Sequence, residues 1–192
     1  LGAARYLPAS ARHALCIDFG HTQVKRARLV LADGKLVRLR RDDPLTTDIE
    51  WLGQGRAPNP DTGRQVLAFM ADAVAQTWAA CTADGQPPDR DVMLSVAAYV
   101  RGGRLLGNGL YANLSTLAGD ARPLLARAIA ACVPDAPPDL RVHLIHDGTA
   151  ACAVHAGVPH AAVILVGTAL GIGFPPLETK TLRPLADTLV VC

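Results

Sequence analysis

The sequence lacks a disulfide framework. Its five cysteines, Cys16, Cys81, Cys132, Cys152 and Cys192, are odd in number, form no CxxC pair and sit mostly among Ala, Leu, Val and Ile. That pattern excludes a zinc ribbon or a stapled secreted scaffold and suits reduced, buried thiols, so a cytoplasmic protein is expected. An excess of one charge is also missing: 19 Lys and Arg stand against 17 Asp and Glu, a net +2. Basic residues are scattered and do not interleave with aromatics, so nucleic acid is not expected as a partner. The local cluster Arg38, Arg40 and Arg41 reads as a solvated strand end. The opening LGAARYLPASARHALC has no basic start followed by a long apolar run, so no signal peptide is expected. No stretch approaches the roughly 20 apolar residues of a membrane span, so no membrane partner is expected. His21, His143, His155 and His160 show no metal-ligand spacing, and no internal repeat recurs at a fixed short period.

What is present is enough to bury a core: half the 192 residues are apolar and 19% are charged. Residues 14–20, ALCIDFG, predict a buried strand stopped by Gly20. VKRARLVL (24–31) and KLVRLR (35–40) flank Asp33-Gly34, a strong hairpin signal. Alternation of Lys25, Ala27, Leu29 and Leu31 with Arg26 and Arg28 predicts one buried and one wet face. The prolines and glycines of 42–60 predict a loop, with a short strand near Ile49–Leu52 as an option. From about Asp61, Val66, Phe69, Met70, Ala73, Val74, Thr77 and Trp78 recur at helical spacing up to Asp84-Gly85, a core stripe. Further strands are expected over 91–100, 140–145 and 161–166, helices over 121–133 and after HDG, and a glycine-rich loop over GGRLLGNGLYANL. The order predicts an α/β domain whose mixed sheet opens with three antiparallel strands, continues in parallel and is flanked by helices.

Three strand ends carry unusual residues: Asp18, Gly20, Thr22 and Lys25; His146, Asp147, Gly148 and Thr149; and Gly167, Thr168, Gly171 and Gly173. Ligands of open α/β sheets bind where strand ends meet. Glycines let backbone N–H groups approach phosphate oxygens, and a carboxylate holds Mg²⁺ through retained waters. Plainer roles suit the same residues. A surface hairpin favours Asp, Gly and Thr, Asp147 could cap the helix that it precedes, and Lys25 could be a solvated strand residue.

Taken together, IDFGHTQVK, GLYANLSTL, LIHDGTAACAVHAG and VILVGTALGIGF resemble, in order and spacing, the ROK branch (bacterial glucokinases, related sugar kinases and repressors) of the sugar-kinase, actin and Hsp70 superfamily. The resemblance covers roughly residues 14–174. It implies a ribonuclease H-like, actin-like ATPase fold, with 1–13 as an extension, 14–145 as the first domain and 146–192 as the incomplete start of a second. It implies ATP and Mg²⁺ as cofactors and a small hydroxylated substrate, a sugar foremost; a homodimer is an open option. Asp147 would be the general base. Asp18 would face Mg²⁺ through water. Gly20, Thr22 and Lys25 would approach the β/γ-phosphates, and Gly167, Thr168, Gly171 and Gly173 would form the opposing loop. Asn113 and His146 would contact substrate. The chain departs from the branch at His146, where Asn is usual, and at His21, Ala169 and Ile172, where glycines are usual. It also carries no Glu-x-Gly-His sugar motif. These departures leave a second reading open: a non-catalytic relative that binds nucleotide or sugar as a sensor or scaffold.

Overall fold

Alternation in the first strand decides the layers of the molecule. The computed structural model describes residues 2–47, 49, 57–166, 170–176 and 182–192. In β1 (His13–Phe19), Leu15, Ile17 and Phe19 point to one face of the sheet, and Ala14, Cys16 and Asp18 to the other. The first face meets two helices, α1 (Pro60–Ala83) and α2 (Ala121–Cys132). The second meets a short 3₁₀ turn (Ala3–Tyr6) and α3 (Asp147–Cys152).

β1 pairs antiparallel with β2 (Gln23–Ala32), which pairs antiparallel with β3 (Lys35–Thr46); Asp33 and Gly34 make the turn at positive φ. On its other side β1 runs parallel to β4 (Asp91–Val96), and β4 runs parallel to β7 (Arg141–His146). A final strand, β10 (Leu185–Val191), adds parallel to β3, giving the order β10-β3-β2-β1-β4-β7. Two small hairpins stand apart from this sheet: β5 (Tyr99–Arg101) with β6 (Arg104–Leu106), and β8 (Val163–Val166) with β9 (Leu170–Gly173).

This is the mixed α/β sheet expected from the sequence, with its antiparallel opening, its parallel continuation and its flanking helices. Helix α1 starts where Pro60 occupies the first turn and the Asn59 side chain accepts from Thr62 N–H at 2.8 Å. With 24 residues and a best-window mean hydropathy of 1.3, it is the helix among the described residues long and apolar enough to cross a bilayer. Its apolarity has a local cause: Val66, Met70, Ala73, Val74 and Trp78 are buried against the sheet.

Several local expectations change. β3 runs on to Thr46 because a bulge absorbs Asp43 and Pro44: Val24 pairs with Leu45 but Arg26 with Asp42. Ile49 lies in no regular element, and 50–52 fall outside the described residues. The strand expected over 91–100 breaks after Val96, and Gly102-Gly103, both at positive φ, turn Tyr99–Leu106 into a separate hairpin. The strand over 161–166 is not buried in the sheet. It pairs antiparallel with β9, and Ile164, Val166, Leu170 and Ile172 are exposed, because α3 covers one face of this hairpin alone. Segments on both sides of 14–145 return to that unit: Ala3, Ala4, Leu7 and Ala11 join the core of the second face, and 185–191 extend the sheet.

The face expected to be wet is also covered. Arg26 and Arg28 lie under the C-terminal half of α1, where Arg26 Nη1 reaches Thr77 Oγ1 and Arg28 donates to Asp42, to Asp84 and to the Ala80 carbonyl. The hydrogen bond to Asp42, foremost, holds the Arg28 guanidinium firmly protonated. Removing this cation would strand the Asp42 carboxylate, whose side chain is 11% exposed. Arg28→Met is therefore expected to cost about 1–3 kcal/mol in urea unfolding. Arg40→Met should be nearly neutral, because that pair is half exposed.

Candidate active site

Three parallel strands, β1, β4 and β7, end side by side, and the turns beyond those ends build one cleft. Asp18 is in register with Ser95 and Ile145, and Phe19 with Val96 and His146. Asp18 and Asp147 therefore stand at the same end of the sheet, two strands apart, roughly 10 Å by strand spacing. The cleft has a volume of about 1280 Å³ and is lined by Asp18, Gly20, His21, Thr22 and Lys25 from the β1–β2 turn, and by His146 and Asp147 from the β7–α3 junction. Ser95, Tyr99, Leu165 and Gly171 complete its walls.

The β1–β2 turn is tightly held. Gly20 N–H donates to the Gln23 carbonyl at 3.0 Å, and the Gly20 carbonyl accepts from Tyr111 Oη at 2.6 Å and from Thr47 Oγ1 at 3.1 Å. Gly20 thus brings its bare Cα to the cleft, while its own N–H is committed to the turn and not offered to a phosphate. Burial pushes the Tyr111 phenol up, so it stays a protonated donor. Thr22 accepts from Thr47 N–H through its carbonyl, and its side chain is exposed at the cleft. Lys25 Nζ lies 3.8 Å from Asp18 Oδ2, with the side chains 72% and 39% exposed. Such a pair is weak and leaves both groups open to a ligand.

Asp147 opens α3. Its Oδ1 accepts from Gly148 N–H at 2.6 Å and lies 3.0 Å from His146 Nε2. Burial raises the Asp147 carboxyl above the usual carboxylate range, and the Asp18 charge adds to this; His146, the Gly148 N–H and His21 oppose it. Burial lowers the His146 imidazole, with Asp147 opposing. Asp147 is thus a part-buried carboxyl that holds its proton more tightly than a free one. Asp147 is the first residue of α3 and not its N-cap, which is His146, and its side chain bonds the adjacent Gly148 N–H.

The sequence motifs meet this cleft unevenly. Asp18, Gly20, Thr22, Lys25, His146, Asp147 and Gly171 converge on it. Gly167 and Thr168 lie outside the described residues. Gly173 packs behind the cleft: a Cβ there would lie 2.3 Å from the Gly148 carbonyl oxygen and 2.5 Å from Cys152 Sγ. Asn113 does not reach the cleft. It is buried, its Oδ1 accepting from Asn59 N–H at 2.8 Å and its Nδ2 donating to the carbonyls of Gly109 and Leu110, so it fixes the start of α1. Two residues that the sequence does not single out as site candidates matter here. Tyr99 stacks on His146 with ring centroids 4.5 Å apart, and Tyr111 holds the Gly20 carbonyl. The Gly102-Gly103 turn is the signal that could lift Tyr99 out of its strand.

Since only a bare backbone fits between β9 and α3, Gly173→Ala is expected to push the two apart and cost about 1–3 kcal/mol in denaturant unfolding.

No group of three or more His, Cys, Asp or Glu among the described residues could cage a metal. Asp18 suits Mg²⁺ in a different way: it is a hard oxygen donor, partly exposed in a cleft with room for waters and phosphates, and Mg²⁺ is usually held by one or two carboxylates with retained waters. The cleft exceeds the 300–1,000 Å³ typical of small-molecule sites.

No family model matches the sequence, and no curated protein does. Solved structures share its fold. The inorganic polyphosphate/ATP-glucomannokinase from Arthrobacter sp. strain KM superposes with a TM-score of 0.51 at 20% identity, over 92% of this chain and 62% of that one. A ROK hexokinase from Thermus thermophilus gives 0.47 at 18% identity, over 85% of this chain and 47% of that one. A ROK family protein from Streptococcus pneumoniae TIGR4, solved in complex with sucrose, gives 0.45 at 18%, over 93% and 50%. The chain spans less than two thirds of each of these proteins. The likeness is one of fold: the mixed α/β sheet with flanking helices, as expected from the order of strands and helices in the sequence, is shared with the glucomannokinase structure.

Proposed function

We propose that this chain carries the catalytic half of an ATP-dependent kinase that transfers a phosphoryl group to a hydroxyl of a sugar or sugar-like small molecule. The observation that carries the reading is the convergence of Asp18, Thr22, Lys25 and Asp147, from two separate sequence motifs, on one cleft at the ends of parallel strands. Asp147 accepts the proton of the substrate hydroxyl as it attacks the γ-phosphorus. The tuned carboxyl and its place on the cleft wall support that role. Asp18 would hold Mg²⁺ through water, and the ion would neutralise phosphate charge. Lys25 and Thr22 offer an ammonium and a hydroxyl to the phosphates, and Gly171 belongs to the opposing wall, with Gly167 and Thr168 placed by sequence beside it. Most of the remaining rate enhancement is positioning and charge stabilisation.

The sensor or scaffold reading rests on one observation: Asp147 Oδ1 accepts from the neighbouring Gly148 N–H at the start of α3, a local structural bond that needs no chemistry. ADP release from Mg-ATP, measured across sugars and polyols, separates the two. Stimulation by one member of the panel supports the kinase. No stimulation, with ATP or a sugar still raising the melting temperature, supports the sensor.

A further inference from the structure

We propose that His146 is a positioning residue for Asp147, held in place by Tyr99, and not a substrate contact. The inference rests on the kinase reading for its kinetic consequence, while its structural content stands apart from it.

Most of the His146 ring is already covered. Its side chain is 9% exposed, its Nε2 lies 3.0 Å from Asp147 Oδ1, and one face stacks on Tyr99 at 4.5 Å with 29° between the planes. Beneath the ring lies the bare backbone of Gly148, where a Cβ would come within 2.6 Å of Cε1 and 3.1 Å of Nδ1. Little of the imidazole remains to meet a ligand. Its effect falls on the carboxylate instead. Oδ1 takes the Gly148 N–H and faces Nε2, so the carboxylate is pinned through one oxygen, and Oδ2 is the oxygen left to meet a hydroxyl in the cleft. Burial favours the neutral imidazole. In the Nε2–H tautomer the neutral ring sets an N–H 3.0 Å from Oδ1 without adding a full positive charge that would make Asp147 a poor base. Asp18 and His21 from the end of β1 are the other charged or titratable groups that act on Asp147, and Arg5 reaches the carbonyl of Ala153 at the far end of α3. Tyr99 comes from the β5–β6 hairpin and His146 from the end of β7, so the hairpin and the sheet together set the ring.

The test uses the full 192-residue chain. First, ¹⁵N–¹H spectra of the ligand-free protein near pH 7 read the His146 tautomer, its signals assigned by their loss in His146→Phe. The expected result is an Nε2–H imidazole whose shifts move in Asp147→Asn. An Nδ1–H tautomer, or no response to Asp147→Asn, overturns the proposal. This readout needs no turnover, so it decides the pairing even if no substrate stimulates ADP release and the kinase reading fails. Second, with a stimulating substrate, His146→Phe keeps a ring against Tyr99 but removes the donor. Its kcat should fall about 10- to 100-fold while KM for the hydroxyl substrate stays within about twofold. Tyr99→Ala should move kcat in the same direction, and Tyr99→Phe should restore it. That pair carries the kinetic test should His146→Phe fail to fold. A rise in KM at constant kcat would make His146 a substrate contact and overturn the assignment.

Discussion

Asp147→Asn is expected to lower ADP release by about 10²–10⁴-fold, the usual contribution of a general base, while the variant melts at neutral pH no lower than the parent. The two halves of this expectation have one physical source. Burial raises the folded-state pKa of Asp147 above its ordinary value of 3.8, so the native protein binds the proton more tightly than the unfolded chain does. A group of this kind favours the fold fully below the unfolded pKa, and that contribution is lost as pH rises through the raised folded value. At pH 7 the parent therefore carries an ionised carboxylate that destabilises the fold relative to its protonated form. Asn keeps the shape and still offers an oxygen to Gly148 N–H, but it has no charge to desolvate. Melting curves of the two proteins should nearly coincide near pH 3.5 and separate upward to pH 7, with the Asn variant higher. A variant that is inactive and markedly less stable at pH 7 would make Asp147 a structural residue whose loss of activity comes from damage to α3. A variant that stays active would end the general-base role directly.

The sheet was legible because it is written in alternation and turn chemistry. Leu15, Ile17 and Phe19 against Ala14, Cys16 and Asp18 give both faces of β1, and Asp33-Gly34 gives the hairpin. The lining of the cleft was legible where residues sit on strand ends, since the end of a strand is fixed by the strand. Asp18 and Asp147 needed no more than that. Asn113 lies off the cleft for a reason that strand ends do not announce. It lies in a 3₁₀ segment (Leu110–Thr116), and its partners, Asn59 and the carbonyls of Gly109 and Leu110, are set by how that segment packs on α1. No spacing in the sequence announces such a contact. The apolar run VILV reads the same whether both of its faces are covered or one, and coverage depends on what lies beside it in space. The arginines of β2 were read as wet because charge usually is. What buries Arg28 is a pair of aspartates 14 and 56 residues away.

Phe19→Ala should be the most damaging single change to the fold, at about 3–5 kcal/mol. Phe19 is fully buried at the last position of β1, and its ring meets Phe69 of α1 edge-on at 6.0 Å and Tyr111 at 6.1 Å. Truncation removes the transfer energy of a whole ring, forfeits both aromatic contacts and opens a void that backbone-anchored neighbours cannot close. Against a total stability of about 5–15 kcal/mol, this is a large share, and for a chain of this size it corresponds to a melting-temperature drop of about 10 °C. Phe19→Leu fills more of the space and should cost less than half as much. The effect should also reach the cleft. Phe19 stands between Asp18 and Gly20, and Tyr111, which bonds the Gly20 carbonyl, leans on the same ring. With the ring gone, Tyr111 loses its packing partner and the β1–β2 turn loses a constraint. Below its lowered melting temperature, the Ala variant should therefore bind Mg-ATP more weakly than Phe19→Leu does, as read by the shift in melting temperature each shows with the nucleotide. Equal shifts in the two variants would mean that Gln23 and Thr47 alone hold the turn, and that the aromatic cluster serves the core without serving the site.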